Sequence, residues 1–128
     1  MNLTWLRAQC LALPHTTEQI QWGDHLLFKI GGKMYAATSV DEAKAGMSFK
    51  CSPEEFAELI EMPGIIPAPY LARAHWVALE TEDALPRTEL KKRLTRSYEL
   101  VRSGLTKKAQ AELEKSVSIK SKTKKKGA

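Results

Sequence analysis

The chain has 128 residues, enough for one domain with its own apolar core. Its 43% hydrophobic and 27% charged residues are the balance of a soluble globule, and no apolar run approaches the ~18 residues needed to span a membrane. The formal charge of +5 is local: residues 114–128 hold six lysines and one acid, while residues 1–113 hold fourteen basic and fourteen acidic residues. A basic domain surface therefore does not follow from the net charge.

Met1 to Arg7 has no basic start and no long apolar segment, so a secretory signal is not expected and a cytoplasmic location is. Cys10 and Cys51 could pair in principle. In such a chain the expectation is two reduced, buried thiols.

The first helix is predicted over residues 3 to 13. Leu3, Leu6, Cys10 and Leu13 form one stripe, Asn2 or Thr4 can cap it, and Pro14 stops it. Residues 17–23 alternate as a half-buried strand, with Ile20 and Trp22 on one side and Gln19 and Gln21 on the other. Gly23-Asp24 then turns the chain into a hairpin running from Leu26 to Ala37.

Two apolar runs flank Gly31-Gly32, and two glycines supply the positive φ angles of a tight hairpin loop. A regular ladder sets Ile30 opposite Lys33, Lys29 opposite Met34 and Phe28 opposite Tyr35. Opposed residues share a sheet face. Leu26, Phe28, Ile30, Tyr35 and Ala37 then face the core, with Lys33 at the end of that face by the turn. Leu27, Lys29, Met34 and Ala36 face outward, on a side that is wet over part of its length. In Met47–Lys50, Met47 and Phe49 point inward and Ser48 and Lys50 outward, which puts Lys29 and Lys50 on one outward face.

Ser52-Pro53-Glu54-Glu55 is a capping box with proline at the first helical position. Phe56, Leu59 and Ile60 continue that short helix, and Pro63-Gly64 ends it. Pro67 and Pro69 exclude a central strand between Ile65 and Arg73 and predict an extended crossing segment. His75–Glu80 reads as a strand with Val77 and Leu79 inward. Pro86 opens the last helix, whose stripe is Leu90, Leu94, Tyr98, Val101 and Leu105, with Gly104 near its end. From about Lys115 the apolar pattern gives way to Lys, Ser and Thr, the composition of a disordered basic tail over 114–128. The predicted fold is α+β, a two-layer sandwich over residues 1–113. Its antiparallel sheet carries the N- and C-terminal helices on one face.

Several segments together resemble the MmcQ/YjbR family. They are Trp22-Gly23, the Phe28–Tyr35 hairpin, Phe49-Lys50, Gly64-Ile65-Ile66-Pro67-Ala68-Pro69-Tyr70, Trp76-Val77 and Ser97-Tyr98. The similarity runs from about Leu3 to Leu113. It implies a fold like that of CyaY and frataxin, and DNA binding with a double-wing arrangement. It brings no catalytic residues with it.

The residues themselves offer little chemistry. His15, His25 and His75 lie far apart, and none has metal-ligand spacing with a cysteine or carboxylate. Glu54, Glu58 and Glu61 can share a face of the short helix, where they read more simply as a solvated surface than as an iron site. Cys51 directly precedes a helix N-terminus, whose dipole can lower a thiol pKa, but no histidine partner is evident. No enzyme activity, metal or cofactor is expected, and nothing points to an oligomer, so a monomer is expected.

Cations near the sheet remain. Lys29 and Lys50 share the outward face, Lys33 sits at the hairpin tip and Arg73 precedes the last strand. A hairpin tip with flanking lysines can lie along a phosphate backbone as a wing. Lys120, Lys122, Lys124, Lys125 and Lys126 of the tail would add a sequence-independent grip. Two functions follow: a DNA-binding module, or a small protein- or ligand-interaction domain using the exposed sheet face.

Overall fold

The computed structural model describes residues 2–21, 23–41, 46–69, 71–81 and 83–114. Trp22, Tyr70 and the tail lysines Lys120, Lys122, Lys124, Lys125 and Lys126 lie outside the described residues, as does nearly all of the predicted disordered stretch.

Helix α1 (Leu3–Leu11) is capped by Asn2, whose side chain accepts from the Trp5 N–H. The strands β1 (Thr17–Gln21), β2 (His25–Ile30), β3 (Lys33–Ser39) and β4 (Met47–Lys50) follow. Helix α2 (Pro53–Leu59) starts at the capping box, with both reciprocal Ser52–Glu55 bonds made. Strand β5 (Ile65–Pro67), one 3₁₀ turn (Ala72–Ala74), β6 (Trp76–Leu79) and α3 (Arg87–Ser103) complete the order. Residues 107–114 form a last helical segment, α4. The sheet is antiparallel with order β1-β2-β3-β4-β6-β5. Pro67 lies on the edge strand β5, where a missing N–H is tolerated.

One face of the sheet meets the helices. Leu6 and Cys10 of α1, Leu59 of α2 and Leu90, Leu94 and Tyr98 of α3 pack with Phe28, Ile30, Phe49, Val77 and Leu79 in a single core. Val101 packs against that core half-buried rather than inside it. Both cysteines are free and buried.

The hairpin differs from the regular ladder. Gly31 and Gly32 form the loop with positive φ at both positions, and Ile30↔Lys33 and Lys29↔Met34 pair as expected. A bulge then intervenes, so Phe28 pairs with Ala36 and not Tyr35. A bulge inserts one residue and reverses the faces beyond it. Tyr35 and Ala36 are both buried in the core, while Ala37 takes the outward place opposite Leu27. The extra residue lets Tyr35 reach α1, where its hydroxyl donates to the Cys10 carbonyl at 3.2 Å and lies 2.9 Å from Thr16 Oγ1. Burial pushes the tyrosine pKa up.

Two further corrections concern exposure. Ile20 is 61% exposed, on the edge strand β1. Leu27, on the outward face, is 1% exposed and hence not wet. It lies in an apolar row with Ala37 on the next strand.

Candidate functional site

The open face of the sheet has two unlike ends. Across its middle runs the row Leu27, Ala37, Ser48, Ala78 and Ile66, each directly opposite the next. Toward the hairpin tip lie Lys29, paired with Met34, and Lys50, paired with Trp76. Lys29 and Lys50 thus share the outward face, both half-buried. Lys33 is exposed at the loop. Arg73 is exposed in the 3₁₀ turn, beside Ala74, whose carbonyl accepts from Lys50 Nζ at 2.6 Å. Of the four cations singled out in the sequence, Lys29 and Lys50 share the outward face, Lys33 lies at the loop opposite core-facing Ile30, and Arg73 stands in the turn that Lys50 reaches.

These cations differ in freedom. Lys29 Nζ donates to Gln19 Oε1 at 2.8 Å, and Lys50 is steadied by its bond to Ala74. A primary ammonium has three donors, so each retains capacity for a phosphate oxygen. The platform beneath is bolted to the helix layer by Ser97. Its hydroxyl donates to the Tyr35 carbonyl at 2.6 Å and accepts from the Lys50 N–H at 2.9 Å. The tip is held too, because Leu105 packs where a Gly31 Cβ would lie, 2.6 Å from Leu105 Cδ1. The hairpin is thus braced at its base and at its tip.

The opposite end carries Asp24, Asp41 and Glu80. Between the middle row and that end, Ala37, Ser48, Ala78, Ile66 and Pro69 line a groove of about 360 Å³, with Asp24, His25 and Glu80 at its rim. His25 Nδ1 lies 3.0 Å from Asp24 Oδ1. Gly46 borders the groove with φ +123°, and a Cβ there would meet the Leu79 carbonyl at 2.9 Å. Five residues of β2 separate the two ends, about 17 Å at ~3.4 Å per residue. That is roughly twice the ~8 Å screening length at physiological salt, so the acidic end does not cancel the basic one.

Cys51 is not an activated nucleophile. Its thiol donates to the His75 carbonyl at 3.2 Å rather than meeting the imidazole, and burial, followed by the Glu55 charge, pushes it up to about 11. Desolvation outweighs the dipole of a helix of only seven residues. Burial likewise pushes the Cys10 thiol up to about 12. Among the described residues no group of three or more His, Cys, Asp or Glu side chains could hold a metal ion. Nor is any described helix long and apolar enough to cross a membrane.

The sequence reading missed a second cationic surface. The outer stripe of α3 presents Lys91, Lys92 and Arg96 along a shallow hollow that Thr88, Thr95 and Glu99 complete. Its signal was legible: α3 holds six basic residues and two acids. Two of the six are engaged with Glu55, to which Arg93 lies at 3.0 Å and Arg96 at 3.2 Å.

The architecture defines a class: a small α+β sandwich with one open sheet face and a braced hairpin. The YjbR family model matches residues 11–100, and the chain belongs to that family. It is similar to Deinococcus radiodurans protein DR2400, which carries a DUF419 domain. The identity is 34%, 85% of each chain is covered and the TM-score is 0.75. A Pseudomonas syringae protein of known structure shares the fold at 22% identity and TM-score 0.64, over 78% of this chain and 98% of its own. A search of curated proteins finds no match.

Proposed function

We propose that this protein is a non-enzymatic DNA-binding module that lies against the phosphate backbone with the hairpin end of its open sheet face. The observation that carries the reading is the placing of Lys29 and Lys50 on the outward face near the hairpin, with Lys33 exposed at its loop and Arg73 exposed in the turn that Lys50 reaches. Lysines on a rigid strand and turn match a row of phosphates at low entropic cost and carry no base readout, so binding is sequence-tolerant. The tail lysines Lys120, Lys122, Lys124, Lys125 and Lys126 supply long-range attraction, because the rest of the chain is formally neutral. The absence of an enzymatic role is proposed on the state of the thiols, both pushed far above neutral pH by burial.

Duplex DNA titrated at two salt concentrations tests this. The probes are the full chain and a full-length variant with all five tail lysines changed to serine. The variant should bind more weakly, with a flatter salt dependence, and still bind at low salt. If it does not bind at low salt, the wing has no role.

A second reading rests on the groove at the other end. Its small neutral floor of Ala37, Ser48 and Ala78 suits an apolar side chain of a protein partner or a small molecule. Such binding would respond little to salt, which separates it from phosphate contact.

A further inference from the structure

The two edges of the sheet are protected unequally. Strand β5 is three residues long and carries Pro67, a combination that discourages strand addition. Strand β1, Thr17-Glu18-Gln19-Ile20-Gln21, has five residues, no proline, no lysine and no bulge in its pairing with β2. Thr17 to Ile20 are all exposed, and among the described residues no strand pairs with the outer edge. Ile20 is the most exposed large apolar side chain of the described residues, and with Leu3, Leu26 and Val40 it borders a shallow hollow between α1 and the sheet. An edge of this kind is a template for another strand.

The composition of β1 selects the occupant. We propose that β1 pairs antiparallel with β1 of a second copy of this chain, about a two-fold axis at Gln19, joining two six-stranded sheets into one. In that register Thr17 meets Gln21, Gln19 meets Gln19 and Glu18 meets Ile20 of the other copy. No two like charges come opposite each other. The single carboxylate is already neutralised, because Glu18 Oε1 lies 2.6 Å from Arg7 Nη2, and that bond holds the Glu18 carboxyl below its usual range. Glu18 and Ile20 share the helix-side face, as their partners Phe28 and Leu26 show. The two Ile20 side chains then become diagonal neighbours, ~7–8 Å apart at the backbone and within reach of each other. Each covers part of the hollow beside the other, which removes exposed apolar surface from both copies.

Sedimentation equilibrium of the full chain, from micromolar to millimolar concentration, should show the mass rising from monomer toward dimer. Ile20→Glu places a carboxylate directly opposite Glu18 of the other copy and diagonal to its own copy, and should weaken association at least tenfold. Gln19→Cys tests the register directly, since the new thiols face each other on the axis and should form an intermolecular disulfide under mild oxidation. The native thiols are buried and do not compete. A wild-type mass that stays monomeric throughout overturns the proposal. So does a dimer that Ile20→Glu leaves intact, or one in which Gln19→Cys fails to cross-link.

Discussion

The hairpin end and the groove end of the open face are built from the same strands and are chemically opposite. One presents Lys29 and Lys50, with Lys33 at the adjoining loop and Arg73 in the neighbouring turn, and the other presents small uncharged side chains rimmed by Asp24 and Glu80. They also differ in how they are fastened. Ser97 ties the hairpin end to α3 through two backbone groups, whereas Thr38 near the groove spans only to the Gly46 carbonyl, at 2.9 Å. An open sheet face can thus hold two independent surfaces, one suited to a polyanion and one to a neutral side chain.

The fastening should give the largest effect on stability. Ser97→Ala leaves the Tyr35 carbonyl and the Lys50 N–H buried without their partner, at roughly 1–3 kcal/mol each. Urea denaturation should therefore show a loss of about 2–6 kcal/mol. Thr38→Val strands one acceptor and should cost about 1–2 kcal/mol. Equal losses from the two variants would erase the distinction between the ends.

Charge should separate the ends next. Asp24→Asn with Glu80→Gln removes the acidic rim while leaving the salt dependence of DNA binding unchanged, since the rim lies beyond the screening length. A steeper slope in that variant would mean that the two ends act as one field. Filling the groove should have a smaller effect. Ala78→Leu puts a larger side chain on a half-exposed floor, with a stability change within about 1 kcal/mol. DNA affinity should not change, and loss of binding would move the nucleic-acid surface to the groove.

The smallest expected effect comes from acid. Burial raises the Glu55 carboxyl, but hydrogen bonds from Ser52 and Arg96 outweigh it and hold the carboxyl below its ordinary value. A depressed carboxylate contributes stability that is complete above its unfolded pKa of ~4.3 and is lost as pH falls through the folded value. The wild-type protein should therefore lose stability below about pH 4.3 more steeply than Glu55→Gln does, as read by thermal melts across pH.

Much of the fold was legible because its signals were local. The capping box at Ser52, the glycine loop at Gly31-Gly32 and the stripe of α3 each depend on neighbours a few residues apart. What was misjudged needed partners distant in sequence. The bulge at Phe28–Lys29 follows from Tyr35 reaching Cys10 and Thr16, contacts that no two-residue alternation encodes. Ile20 alternates like a buried strand residue, yet it lies on an edge strand and is exposed. Of the site, the outward placement of Lys29 and Lys50 survived the bulge, because Lys29 and Met34 lie on the tip side of it. The cations on α3 are legible as charges but not as a site, because charges on the solvent side of an amphipathic helix look the same whether or not they form a surface for a partner.

The claim that the hairpin end grips phosphate is tested most directly by the salt slope of duplex binding. The tail-neutralised chain should be compared with and without Lys29→Ala, Lys33→Ala and Lys50→Ala. With one phosphate per lysine, each contributing about 0.9, the triple change should lower the magnitude of the slope of log Kobs against log salt by roughly 2.7. A slope and an affinity that the triple change leaves untouched would contradict the account.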